Sequence, residues 1–203
     1  MNKILLAGLL LAALTGCKDE RETGVKPTNV IDVSAVADPN SFAQPEKVRI
    51  EHIELDLGVD MDARVLRGSA LYRLQWLDER ASELVLDTRG IDIRSVQGLD
   101  GKKWRDLKFK LDDEDAMYGS ALRITMKQQL PQVRINYATR PEASGLQWLT
   151  PEMTASGQPF MFSQSQAIHA RSWVPLQDTP GVRFTYDARI RTDAFADRLD
   201  VGS

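Results

Sequence analysis

The sequence predicts an all-β domain of antiparallel strands, on three observations. Apolar and polar residues alternate over two long runs, Val48 to Leu57 and Val65 to Trp76. Shorter apolar runs then follow at close spacing, each closed by turn residues, and no convincing amphipathic helix stands between them. A length of 203 residues with 42% hydrophobic content suits one domain with a real core and some extension at its ends.

At the N-terminus an apolar run from Ile4 to Leu14 follows a single basic residue, Lys3. It is about half of what is needed to cross a hydrocarbon core of roughly 30 Å, which gives it the character of a signal-peptide core. The run ends in Leu14-Thr15-Gly16-Cys17, which resembles the bacterial lipobox, so residues 1–16 are expected to be a lipoprotein signal peptide and Cys17 the lipidated residue. Several acyl chains at about 0.8 kcal/mol per buried methylene would make a durable anchor. Cys17 is the only cysteine, so no disulfide is available to the chain that follows. The expected location is the bacterial cell envelope, facing the periplasm. Lys18 stands where an aspartate is associated with inner-membrane retention, which favours the outer membrane. Residues 17–46, polar and containing Pro27, Pro39 and Pro45, read as a flexible tether, with the alternative that Val30 to Val36 packs as a short strand.

The folded part is expected over residues 47–192. Its first strand carries Val48, Ile50, Ile53, Leu55 and Leu57, and the change of phase at Glu51-His52 predicts a β-bulge. The connector Asp60-Met-Asp-Ala leads into Leu66, Gly68, Ala70, Tyr72, Leu74 and Trp76, completing a long antiparallel hairpin. Further strands are predicted at Glu83 to Asp87, Ile91 to Gly98, Trp104 to Leu111, Ala121 to Met126 and Val133 to Ala138, with turns between them.

The charge balance, 26 basic against 29 acidic residues, gives a net charge of -3 with no basic stripe, which argues against nucleic acid as a partner. Only two histidines, His52 and His169, are present, far apart and without an HExxH pattern, so neither a catalytic residue nor a metal ligand is assigned. Ser163 or Ser165 with His169 and Asp178 would make a nucleophile triad only on paper, because no nucleophile elbow surrounds either serine. Asp112 to Asp115 lacks the glycine and closing glutamate of a calcium loop and reads as a solvated turn. Trp76, Trp104 and Trp173 read as packing residues, and Trp148 is the one tryptophan singled out for a possible place beside a ligand.

Gln164 and Gln166 are the most informative pair. In an extended segment they would project to one face and could grip a polar group from two directions. The residues alone leave open whether these amides meet a ligand or satisfy neighbouring backbone.

The segments Ser144-Gly-Leu-Gln-Trp-Leu-Thr-Pro-Glu152, Phe162-Ser-Gln-Ser-Gln-Ala-Ile-His-Ala-Arg171 and Pro175-Leu-Gln-Asp-Thr-Pro180 stand in the order and spacing of a known family. They resemble the N-terminal domain of the leukotriene hydrolase and aminopeptidase B branch of the aminopeptidase N family of zinc metallopeptidases. Tyr118-Gly-Ser120 fits the hairpin preceding them, and the likeness runs from about Val48 to Arg191. It implies a saddle-like antiparallel β-sandwich that lends one wall of the substrate cleft to a catalytic domain. It also implies that Gln164, Ser165 and Gln166 help to bind the amino end of a peptide substrate. The cofactor implied is zinc in the full-length family enzyme and none in this chain. The zinc ligands, general base and transition-state tyrosine of the family are absent from these 203 residues, and residues 193–203 depart from its pattern. The expectation is therefore a domain cut before its catalytic partner and inactive alone, with a stand-alone binding lipoprotein on the same scaffold as the alternative.

Overall fold

The computed structural model describes residues 38–192; Cys17, the expected signal peptide, most of the expected tether and the 193–203 tail lie outside the described residues. Eleven strands run through the described part: β1 Val48–Asp60, β2 Val65–Trp76, β3 Glu83–Thr88, β4 Asp92–Asp100, β5 Lys103–Asp106, β6 Lys108–Leu111, β7 Ser120–Thr125, β8 Gln132–Ala138, β9 Leu146–Leu149, β10 Phe160–Ser163 and β11 Thr185–Arg191. Two single-turn 3-10 helices, Pro151–Met153 and Ala170–Ser172, complete it.

β1 and β2 form the long hairpin that the alternation predicts, from Val48 opposite Trp76 to Asp60 opposite Val65. The register slips between Ile50 and His52, at the phase change in the sequence. The extra residue lets Ile50 and Ile53, three positions apart, both point into the core. Gly68 has φ +153° where the two backbones converge, and a Cβ there would lie 2.0 Å from the Asp56 carbonyl oxygen. Only glycine allows that approach within a strand.

The larger sheet has the order β11-β1-β2-β8-β4-β5, and a three-stranded sheet has the order β3-β7-β6. The two share one core: Ile53, Leu57, Tyr72, Ile135 and Tyr137 of the larger sheet cluster with Leu84, Leu86, Leu122 and Ile124 of the smaller. Burying each such aliphatic side chain contributes about 1.5–3 kcal/mol before entropy is counted. A separate two-stranded ribbon pairs β9 with β10.

The structure adds β9, β10 and β11 to the predicted strands and differs from expectation in other places as well. All pairings except one are antiparallel; β11 lies parallel to β1, reached by a crossover long enough to permit that direction. The strand expected over Trp104 to Leu111 is two strands, β5 on β4 and β6 on β7, because the chain changes sheet at Leu107, whose N–H donates to the Val96 carbonyl (2.9 Å). Residues 38–46, assigned to the tether, include a docked stretch: the Ser41 hydroxyl and the Phe42 N–H donate to the Asp87 carboxylate at 2.6 and 2.7 Å.

The chain between β10 and β11 is tied to both sheets. The Leu176 carbonyl accepts from Asp87 N–H (2.7 Å), and the Tyr72 hydroxyl donates to the Pro175 carbonyl (2.6 Å). The buried Gln177 side chain accepts from Ile50 N–H (2.9 Å) and donates to the Val48 carbonyl (2.8 Å). Since β11 pairs only from His52 onward, Gln177 acts as a short substitute strand for the start of β1.

Candidate functional site

β10 ends at Ser163, and residues 166–169 form a turn with a cis Gln166–Ala167 peptide bond. The same-face geometry expected for an extended Gln164-Ser165-Gln166 segment therefore does not hold. Another arrangement brings the two amides together: Gln164 Oε1 accepts from the Gln166 N–H (3.2 Å), a side chain closing on backbone two residues ahead. Both glutamines are exposed, Ser165 is half-buried, and the Gln166 side-chain amide makes no hydrogen bond within the described residues.

Beneath this pair is a continuous frame of hydrogen bonds. Gln164 N–H donates to the Gly145 carbonyl (2.8 Å), and Gly145 N–H donates to Ser172 Oγ (2.8 Å). The Ser172 hydroxyl donates to the His169 carbonyl (2.7 Å), and His169 N–H donates to the Ser165 carbonyl (2.9 Å). Trp173 Nε1–H donates to Ser165 Oγ (3.1 Å). Gly145 fills a place where a Cβ would come within 2.5 Å of the His169 carbonyl oxygen and 2.8 Å of Trp173 Cδ1. Of the three predicted site residues, two present amides to solvent and one turns its side chain toward the frame.

Arg171, at the end of the same motif, has a fully buried side chain. Its Nε donates to Asp178 Oδ2 (3.0 Å), Nη1 to the Tyr118 carbonyl (3.0 Å) and Nη2 to the Asp178 carbonyl (3.0 Å). Nη1 also stands 3.9 Å from the buried Asp87 carboxylate. Asp87 accepts from Ser41, Phe42 and Asp178 N–H (2.9 Å) as well. Burial nevertheless pushes the Asp87 carboxyl above its ordinary value, outweighing those donors and Arg171. The sequence gives little warning of this cluster, since an isolated Arg and Asp usually read as surface charges. The one available signal is that Asp87 follows the unbroken apolar run Leu84-Val85-Leu86.

The other residues considered in the sequence take structural places. His52 is buried, with Nδ1 2.7 Å from Thr185 Oγ1 and Nε2 3.4 Å from the Asp187 carboxylate. His169 Nδ1 lies 2.8 Å from Ser144 Oγ; Asp178 serves Arg171, and Ser165 serves Trp173, so the paper triad is not assembled. Asp112 pairs with Arg123, and Asp115 accepts from Met117 and Tyr118 N–H within its own turn. Trp148 packs against the core with its indole N–H buried and without a partner among the described residues. Among the described residues no group of three or more His, Cys, Asp or Glu could hold a metal ion. With both histidines engaged elsewhere, these residues do not fit a zinc site.

Comparison with known proteins converges on one family. Residues 49–198 match the Peptidase M1 N-terminal domain, so the match runs into the 193–203 tail that was expected to depart from it. A leukotriene A-4 hydrolase of Xenopus laevis is 40% identical over 161 residues, covering 76% of this chain and 26% of that protein. A leucine aminopeptidase 2 of Yarrowia lipolytica is 39% identical over 160 residues, covering 77% of this chain and 24% of that protein. Among solved structures, native yeast LTA4 hydrolase superposes with a TM-score of 0.72 at 32% identity, over 78% of this chain and 25% of that one. An M1 zinc metallopeptidase from Deinococcus radiodurans shares the fold at a TM-score of 0.54 and 19% identity, over 74% of this chain and 34% of that one. The chain spans about a quarter of the length of the curated relatives it matches.

Proposed function

The chain belongs to the peptidase M1 N-terminal domain family, and on that footing we propose that it forms the amino-end recognition wall of a zinc-dependent aminopeptidase. The 203 residues contain no HExxH pattern, so hydrolysis would require a catalytic domain beyond this sequence, supplied in the same polypeptide or as a separate one. Zinc belongs to that domain and would supply the hydrolytic chemistry there. What these residues do is bind and orient.

The observation that carries the reading is the exposed amide pair on a braced turn. Gln166 can accept from a substrate ammonium through its carbonyl oxygen, while an amide N–H of Gln164 or Gln166 donates to a substrate carbonyl. Ser165 takes part by holding the pair to Trp173, and its hydroxyl proton stays available. Since the frame orders the turn before any ligand arrives, little further conformational entropy is lost on binding. Lipidation of Cys17 belongs to the same proposal and would place the domain at the bacterial envelope, facing the periplasm.

The test uses the purified chain. The side-chain amide signals of Gln164 and Gln166 are followed by NMR during titration with an unblocked tripeptide and with its N-acetylated form. The unblocked peptide should shift both signals, the acetylated form should not, and Q164A with Q166A should abolish the response while leaving the fold intact. Equal responses to the two peptides would remove the amino-end assignment.

A further inference from the structure

Beyond the amide pair, and without depending on it, we propose that Arg89, Ser144 and His169 form a binding site for a carboxylate whose attached apolar group rests on Ala116, Met117 and Ile168. An open hollow of about 460 Å³ is lined by Arg89, Ala116, Met117, Ile168 and His169. Ser144 stands at its rim, with Oγ 2.8 Å from His169 Nδ1 and 3.4 Å from Arg89 Nη1. A cation, a hydroxyl and an imidazole thus converge beside an apolar floor.

Arg89 is the residue that calls for a ligand. A guanidinium carries five N–H groups in a fixed fork. Here Nη1 reaches Ser144 and Nη2 reaches the Met117 carbonyl, while Nε is buried with no hydrogen-bond partner among the described residues. Nη1 and Nη2 carry two N–H groups each and spend one apiece on Ser144 and Met117, so each terminal nitrogen keeps a further N–H for a ligand. Arg89 also forms no ion pair among the described residues, in contrast to Arg171, which has Asp178 at 3.0 Å and Asp87 at 3.9 Å. Burial, and then the neighbouring positive charge of Arg171, lower the Arg89 pKa, with Asp178, Glu114 and Asp115 acting in the opposite sense. An arriving anion would supply the opposite charge that Arg89 lacks and acceptors for the spare N–H groups of Nη1 and Nη2.

The same surroundings select the class of anion. Glu114 and Asp115 lie close enough to act on Arg89, so a doubly charged phosphate would meet more repulsion than a carboxylate. The apolar lining suits a branched aliphatic group. A planar carboxylate also matches the guanidinium fork.

The test is titration of the purified chain with isovalerate, with neutral isovaleramide and with inorganic phosphate, read by calorimetry and by NMR shifts at Met117, Ile168 and His169. Isovalerate should bind with one site and shift those signals. Isovaleramide should bind roughly tenfold more weakly or worse, as expected for loss of a charge-assisted hydrogen-bond pair. R89Q and the exposed S144A should each weaken isovalerate, and S144A decides the matter if R89Q fails to fold. Q164A with Q166A should leave isovalerate binding unchanged, which separates this site from the amino-end reading. No binding by the wild-type chain, equal binding of the amide, unchanged binding in the variants or tighter binding of phosphate would each overturn the assignment.

Discussion

Replacing Arg171 by methionine keeps most of the side chain's length while removing its charge and all five of its N–H groups. In the wild type those groups satisfy Asp178 Oδ2, the Asp178 carbonyl and the Tyr118 carbonyl, and they face Asp87, all in a fully buried setting. Removing one partner of a buried ion pair costs about 3–5 kcal/mol, because the other charge stays buried without compensation. That is a large part of the roughly 5–15 kcal/mol that holds a typical domain folded. With a urea m-value of about 2 kcal/mol/M, the midpoint of unfolding should fall by about 2 M. Adding D87N to R171M should restore part of the loss, since it neutralises one of the stranded carboxylates. The measurement is urea unfolding of the four chains of this cycle, with m compared so that a change in denatured-state compactness is not mistaken for stability. A loss below about 1 kcal/mol for R171M, or no recovery with D87N, would refute the idea that this buried charge cluster holds the fold together.

Three further outcomes are expected. Asp87 has a folded pKa above its ordinary 3.8, so its contribution to stability is fully present below that value and is lost as pH rises through the raised folded pKa. The stability of the wild type relative to D87N should therefore increase as pH falls from 7 toward 4; urea midpoints that give a flat or reversed difference would contradict this. G145A should destabilise by about 1–3 kcal/mol through overpacking against the His169 carbonyl and Trp173, and should disturb the NMR signals of Gln164 and Gln166; unchanged signals would break the link between frame and pair. C17S should abolish incorporation of an alkyne-labelled fatty acid when the full chain is expressed in a bacterial host; labelling that persists would remove the anchor assignment.

The β1–β2 hairpin, including its bulge, was legible because period-two alternation maps directly onto two faces of a strand, and a slip in period maps onto an extra residue. The break between β5 and β6 was harder to see. Leu107, Phe109 and Leu111 alternate without interruption, and the only signal is that Trp104 stands out of phase with them. The two glutamines could be singled out, yet their geometry could not, since a turn in place of an extended strand depends on Ser172, Trp173 and Gly145 closing around it. Arg171 and Asp87 escaped for a related reason. Their charges read as surface until a fold brings Asp178, Tyr118 and Ser41 to satisfy them.

The buried Arg171 and the Gly145–Ser172 frame differ from the exposed amides in how freely they can be substituted. Exposed residues such as Gln164 and Gln166 can be exchanged at little cost to stability, typically within about 0.5 kcal/mol. The residues below them cannot, because Arg171, Ser172 and Gly145 each serve several partners at once. A turn built this way separates its exposed side chains from the residues that keep it in place. If the two amides bind a peptide as proposed, substrate preference would drift through them and their neighbours, while the backbone that presents them stays fixed by buried hydrogen bonds.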